Sequence, residues 1–303
     1  MNELINKEII HVSSSLRSQG HTGGVPKFAS YLETTIGCKL ILTKDIPLYL
    51  NKTTIFIVDG ADGLYTIPKE NIIISIVHGT WKEFAIRTDK LSRFKNEINK
   101  QHEMWTNRCN YKVAVSPASA YYLKNHHGVE ADKIILNGID LNEFCTKEIN
   151  NTNQKPIVIH CANDYNKGKE FIEKLQKKCT DFEFEYLNAA VGEESEKFRR
   201  GDLFLQLSQY EGNSYALSEG ISSGLPVLAT KTGVLETSDE NEFPGLIIPW
   251  QESRNIELVI NKLHELWELV KNNKLPIQPR QWAEKYADFN KFKKEWIEFI
   301  NGI

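Results

Sequence analysis

The stretch that most constrains the fold runs from residue 209 to residue 230. A loop carrying Glu211 and Gly212 leads into a helix expected to open near Asn213 or Ser214. Gly224 stops that helix, and Leu225-Pro226-Val227-Leu228-Ala229 has the composition of a short strand. The first turn of such a helix directs N–H groups outward and concentrates partial positive charge, which suits a phosphate. Gly212 would let an anion approach the backbone. Glu211 and Glu219 flank this mouth, and two carboxylates repel an anion unless they touch its uncharged parts, such as sugar or ribose hydroxyls. The same residues also suit an ordinary capped helix with a solvated glutamate, and taken alone they leave both readings open.

With 303 residues, the chain is long enough for two domains, each with its own core. Its 37 basic and 40 acidic residues give a net charge of -3, which argues against a dominant nucleic-acid footprint. Cys38, Cys109, Cys145, Cys161 and Cys179 are odd in number and lack C-x-x-C spacing. Neither a disulfide framework nor a zinc site is expected, and reduced buried thiols in a cytoplasmic protein fit best. Residues 1–7 are polar, and no apolar run approaches the roughly 20 residues of a membrane-spanning helix. A soluble or peripheral protein is expected.

Strand and helix patterns alternate along the chain. A strand over 8–15 is followed by a polar loop, Gly23-Gly24, a helical pattern through Phe28, Leu32 and Ile36, and a strand over 39–43. Paired glycines permit positive φ and close approach of a ligand, and they equally permit a tight turn. Residues 54–60 and 71–79 read as strands covered on both faces. The second ends in Val77-His78-Gly79, placing His78 where α/β folds bind ligands, although a core histidine would look the same. Residues 82–112 hold eight Lys or Arg against four acids, interleaved with apolar residues. They fit a solvated amphipathic helix or a surface for an anionic acceptor or lipid headgroup. Further strands and helices are expected at 111–116, 117–126, 156–161, 169–178, 182–187, 193–199, 202–207 and 245–249. A helix with a clear apolar face follows at 255–271, and the aromatic-rich end forms one or two core helices.

Glu211, seven intervening residues, Glu219, and then Gly224, Pro226 and Val227 resemble the E-x7-E signature and trailing Gly-x-Pro-Val of family 4 retaining glycosyltransferases. The passage from Gly128 to Asp140 resembles the end of the first domain in that family. The resemblance implies the α/β GT-B fold, with two Rossmann-like domains facing across a cleft. It divides the chain into an acceptor-side domain (1–149), a nucleotide-sugar domain (150–280) and a C-terminal helix returning to the first domain (281–303). It further implies that Glu211 and His78 contact the transferred sugar and that the amides of Asn213, Ser214 and Tyr215 hold the donor diphosphate. Glu219 would bind the ribose, and Gly23 and Gly24 would reach the donor phosphates or the acceptor. The family carries a basic residue and then Lys-Gly in the loop after the first strand of its second domain. Lys167-Gly168 matches the second part, whereas Asn163 stands where the first cation is expected. Lys27, Arg199 or Arg200 are candidates to supply the missing charge. Gly212-Asn213-Ser214 also departs from the usual Gly-Phe-Gly.

The activity so implied is a retaining transfer from a UDP- or GDP-linked sugar to a glycan, lipid-linked or protein acceptor. The chain has no D-x-D triplet, in keeping with a metal-independent site that needs no cofactor. Alternatives are a nucleotide-sugar 2-epimerase or hydrolase, a transferase acting on DNA bases through 82–112, and a nucleotide-sugar binder without catalysis. Pocket shape rather than any local motif decides the sugar, nucleotide, acceptor and linkage.

Overall fold

Short β-branched runs separated by helices build two parallel sheets in the computed structural model, which describes residues 8–50, 54–59, 64–146 and 155–303. The expected strand end at Gly60 and most of the polar stretch 150–155 lie outside the described residues. The chain forms two compact units, one comprising Met1–Gly138 with Asn290–Ile303 and the other Ile139–Phe289.

In the first unit, β1 (Ile9–Ser13), β2 (Lys39–Leu42), β3 (Ile55–Val58), β4 (Ile72–Val77), β5 (Tyr111–Ala114) and β6 (Lys133–Ile134) lie in the order β2-β1-β3-β4-β5-β6. All pairings are parallel. Every side chain of β3 is buried, as a sheet covered on both faces requires. The chain leaves β1 for β2 on one side and resumes at β3 on the other, so the switch point lies between β1 and β3.

The helices here are α1 (Gly24–Ile36), α2 (Trp81–Arg87), α3 (Lys95–Glu103) and α4 (Pro117–His127). Ser116 caps α4 by accepting the Ser119 N–H at 3.1 Å, with Pro117 in the first turn. Residues 82–112 are not one long helix. Thr88 bonds the Phe84 carbonyl at 2.7 Å and Asp89 takes φ +54°, which stops α2 and starts a turn. A π-helical turn at Met104–Arg108 precedes β5. Trp81 stacks on Phe94 at 4.9 Å, while Ile86 and Leu91 are exposed.

The second unit contains β7 (Ile157–His160), β8 (Glu183–Tyr186), β9 (Leu203–Gln206), β10 (Val227–Thr230) and β11 (Gly245–Ile248), ordered β11-β10-β9-β7-β8 and parallel throughout. Its helices are α5 (Lys169–Lys178), α6 (Glu194–Arg200), α7 (Tyr215–Ser222), α8 (Ile256–Lys271) and α9 (Pro279–Tyr286). Its switch point lies between β7 and β9. Residues after Gly138 join this unit through the parallel bridge between Ile139 and Asp288 and through Arg280, which donates to the Leu141 and Phe144 carbonyls at 2.8 and 3.2 Å.

The last helix, α10 (Phe289–Asn301), belongs from Asn290 onward to the first unit. Its Phe292 and Trp296 pack edge-on against Phe28 of α1, with centroids 5.9 and 6.1 Å away. Trp296 is fully buried. Cys38, Cys161 and Cys179 are buried thiols as expected, whereas Cys109 is half-buried and Cys145 exposed. Among the described residues no helix is long and apolar enough to cross a membrane.

Trp296→Ala is expected to lower the unfolding free energy by about 3–5 kcal/mol in urea titrations, the cost of deleting a large buried aromatic. His160, at the end of β7, offers a pH-dependent counterpart. It is buried, and burial pushes its pKa down to about 4. Its Nδ1 accepts the Ala162 N–H at 3.3 Å. Between about pH 6.5 and 4 the unfolded chain binds a proton that the folded chain refuses, so stability falls as pH drops through that window. His160→Gln should reduce this acid-side loss by up to about 3 kcal/mol, read from urea midpoints against pH.

Candidate functional site

In the second unit the loops following β7 and β9 flank the switch point, where open parallel sheets bind ligands. The first carries Asn163 and Lys167, and the second carries Glu211 and ends at α7. Ser214 is the N-cap of α7: its hydroxyl accepts the Leu217 N–H at 3.3 Å and donates to Gln206 Oε1 at 2.6 Å. That hydroxyl is therefore occupied by the cap. The amides of Asn213, Ser214 and Tyr215 lie at the N-terminal, positive end of the helix. Glu219 is buried within α7 at 3% exposure, so a merely solvated glutamate is ruled out. Gly224, at φ +91°, follows the helix end at Ser222 as expected.

Two side chains that the sequence did not mark hold these loops together. Asn166 donates to the Tyr210 carbonyl and accepts the Tyr210 N–H, each at 2.9 Å, while its own carbonyl accepts from Gln209 at 3.0 Å. Arg254 donates to the carbonyls of Leu207, Tyr165 and Asn166 at 2.7, 3.0 and 3.0 Å. Gly168 sits at φ +85°, and a Cβ there would stand 3.0 Å from an Arg254 guanidinium nitrogen. This is the physical reason for glycine after Lys167. On the other side, a Cβ on Gly233 would lie 2.6 Å from the Gly212 carbonyl oxygen, so the loop after β10 rests directly on the Glu211-Gly212 backbone.

These contacts set the loop that carries Lys167 beside the loop that carries Glu211. The Glu211 carboxylate raises the Lys167 ammonium above the ordinary lysine range, against the opposing effect of burial. Ser208 donates to Glu211 Oε1 at 2.7 Å. Asn163 is exposed and brings no charge. Of the expected substitutes, Arg199 lies 3.5 Å from the Glu143 carbonyl, Arg200 pairs with Glu185, and Lys27 is buried in the first unit. Arg254 is the cation that enters this loop.

In the first unit Gly23 is the N-cap of α1 and Gly24 its first residue. Neither has positive φ, so the left-handed conformation that the pair permits is not used. Gly23 instead leaves the helix mouth without a capping side chain. His78 follows β4, and its Nε2 lies 2.9 Å from Asp59 Oδ1 at the end of β3. Asp59 Oδ2 lies 3.0 Å from Nε2 of His11 on β1. Burial alone would raise the Asp59 pKa, but the neighbouring His11 and His78 imidazoles outweigh it and hold the carboxyl well below its usual range. An acid closing a wholly apolar strand was the signal that would have found Asp59. A hollow of about 530 Å³ lies elsewhere in this unit, beside Ile9 and Lys39 at the opposite ends of their strands.

Among the described residues no group of three or more His, Cys, Asp or Glu is placed to hold a metal ion. No protein-family model and no curated protein matches the chain. Solved structures do. Sucrose-phosphate synthase from Thermosynechococcus elongatus superposes with a TM-score of 0.78 at 12% identity, covering 98% of each chain. Anabaena HepE, solved in complex with UDP-glucose, gives 0.72 at 13% identity, covering 98% of this chain and 100% of that one. A glycosyltransferase from Rickettsia africae gives 0.61 at 13%, covering 97% and 98%.

Arg254→Lys is expected to destabilise the protein by about 2 kcal/mol or more, because an ammonium cannot reproduce a planar fork serving three carbonyls. Urea denaturation measures the loss, and a change within about 0.5 kcal/mol would contradict the bracing role. The strand order of both sheets and the superpositions together place the chain in the α/β GT-B fold.

Proposed function

We propose that the protein is a retaining, metal-independent glycosyltransferase of the family 4 type, taking its donor from UDP- or GDP-linked sugars. The observation that carries this reading is the N-terminus of α7 presented at a switch point by loops that carry Lys167 and Glu211 and that Asn166 and Arg254 brace together. The GT-B fold and the UDP-glucose bound by HepE support the donor class.

In this reading the bond from the sugar's anomeric carbon to the β-phosphate oxygen breaks, and the acceptor hydroxyl oxygen bonds that carbon on the same face. The hydroxyl proton passes to the departing phosphate. Lys167 and the amides of Asn213, Ser214 and Tyr215 stabilise the charge that develops on the diphosphate. Glu211, tethered by Ser208, contacts the transferred sugar, Glu219 the ribose, and His78 a sugar hydroxyl. The mouth of α1 at Gly23 and Gly24 is assigned to donor phosphate or acceptor. Acceptors of this class are glycans, lipid-linked saccharides or proteins. The exposed Ile86 and Leu91 among the cations of 82–112 support peripheral contact with an anionic membrane surface on the cytoplasmic side.

Thermal-shift screening should show stabilisation by one nucleotide-sugar class. Lys167→Ala and Glu211→Ala should each keep the fold and reduce turnover by at least about 100-fold. Full activity in both variants would refute the assignment, and loss of wild-type activity on chelation would reject the metal-free step. Donor binding with neither transfer nor hydrolysis would favour the non-catalytic reading, which the uncharged Asn163 independently suggests.

A further inference from the structure

We propose that Asp59 is a positioning residue that fixes the orientation and tautomer of His78. This rests on the reading of His78 as a group that meets substrate, and it goes beyond that reading by naming what aims the imidazole.

Three adjacent strands build the arrangement. In the sheet order β1-β3-β4, Asp59 closes the middle strand, His11 comes from one neighbour and His78 follows the other. The Asp59 backbone is pinned because its N–H donates to the Val12 carbonyl at 3.2 Å. Its side chain is 3% exposed, and its two oxygens face the Nε2 atoms of His78 and His11 at 2.9 and 3.0 Å. Phe28 meets both imidazoles edge-on, at 4.9 Å for His78 and 6.1 Å for His11, each with an interplanar angle of 90°. His11 is fully buried, whereas the His78 side chain keeps 21% exposure. The cluster therefore reaches solvent through His78.

A carboxylate can only accept. Facing Asp59, the His78 Nε2 carries its proton, and in the neutral ring Nδ1 is left as an acceptor for a hydroxyl. That outcome requires Asp59 to stay ionised although buried, a costly state unless paired. The His78 hydrogen bond to Oδ1 and the His11 Nε2 atom 3.0 Å from Oδ2 face the carboxylate from either side. The Cys38 thiol, which feels the Asp59 charge, is pushed up to about 12 chiefly by burial and stays neutral. It adds no competing charge at neutral pH.

The geometry predicts what an amide would do at this position. An asparagine in place of Asp59 could keep its carbonyl oxygen toward His78 and turn its NH2 toward His11, whereas an alanine leaves the His78 Nε2–H without its acceptor.

Long-range 1H–15N spectra of the imidazoles, assigned with His11→Gln and His78→Gln, test the proposal without any substrate. The neutral wild-type His78 should carry its proton on Nε2, and Asp59→Ala, which leaves that nitrogen without its acceptor, should abolish the single state. A wild-type His78 protonated on Nδ1, or a His78 spectrum unchanged in Asp59→Ala, would overturn the inference. With a donor in hand, Asp59→Ala should lower kcat on the order of 100-fold and leave KM nearly unchanged. In the His78→Gln background the same substitution should have little further effect, and full additivity would instead make Asp59 merely structural. If no nucleotide sugar is turned over, the functional reading fails while the spectra still decide the role of Asp59.

Discussion

The second unit depends on a short strap between two loops. Asn166 and Arg254 satisfy backbone groups on both sides of the strand ends, and without them Lys167 and Glu211 would belong to independent surface segments. Opposite charges on independent loops gain little, because ordering two side chains cancels most of the attraction. Here the backbone is already ordered, so less entropy is lost when the ammonium is held near the carboxylate. A cation so placed is available to a diphosphate only if the ligand's charge competes with that of Glu211. The arrangement therefore favours a ligand that offers anionic oxygens to Lys167 and hydroxyls to Glu211, which describes a sugar diphosphate better than a bare phosphate.

The local parts of this design were legible in the sequence. The cap Ser214, the Gly224 stop and the apolar strands reveal themselves through near neighbours, and Lys167-Gly168 and Glu211 stand in ordered motifs. The parts set by tertiary contact were not legible. Arg254 acts on the β7 and β9 loops far upstream, and no local pattern distinguishes it from a surface arginine. Asp59 and His11 lie on separate strands that only the sheet order makes neighbours. The basic stretch 82–112 misled because helical periodicity continues across Asp89, where the backbone turns left-handed. At Gly23 and Gly24 composition left a tight turn and a ligand-facing loop both open, and the pair begins a regular helix.

Similarity of fold at 12–13% identity has a physical reading. Parallel sheets covered on both faces ask only for apolar side chains of suitable volume, and many sequences meet that demand. Binding surfaces built from helix mouths and strand ends use backbone N–H groups, which survive side-chain replacement. Side chains are constrained where charge must be placed, and those positions are few.

The two units meet the problem of buried charge differently. In the second, Lys167 already feels the Glu211 carboxylate, so a ligand must contend with an existing attraction. In the first, Asp59 is enclosed by histidines, and its charge is expressed only through the partly exposed His78 imidazole. A carboxylate placed behind an imidazole can orient a hydroxyl without repelling an anion, whereas the same carboxylate at the surface would oppose any anionic ligand. Burial of Asp59 is thus compatible with a role near an anionic ligand, because it turns an acid into a neutral hydrogen-bonding edge.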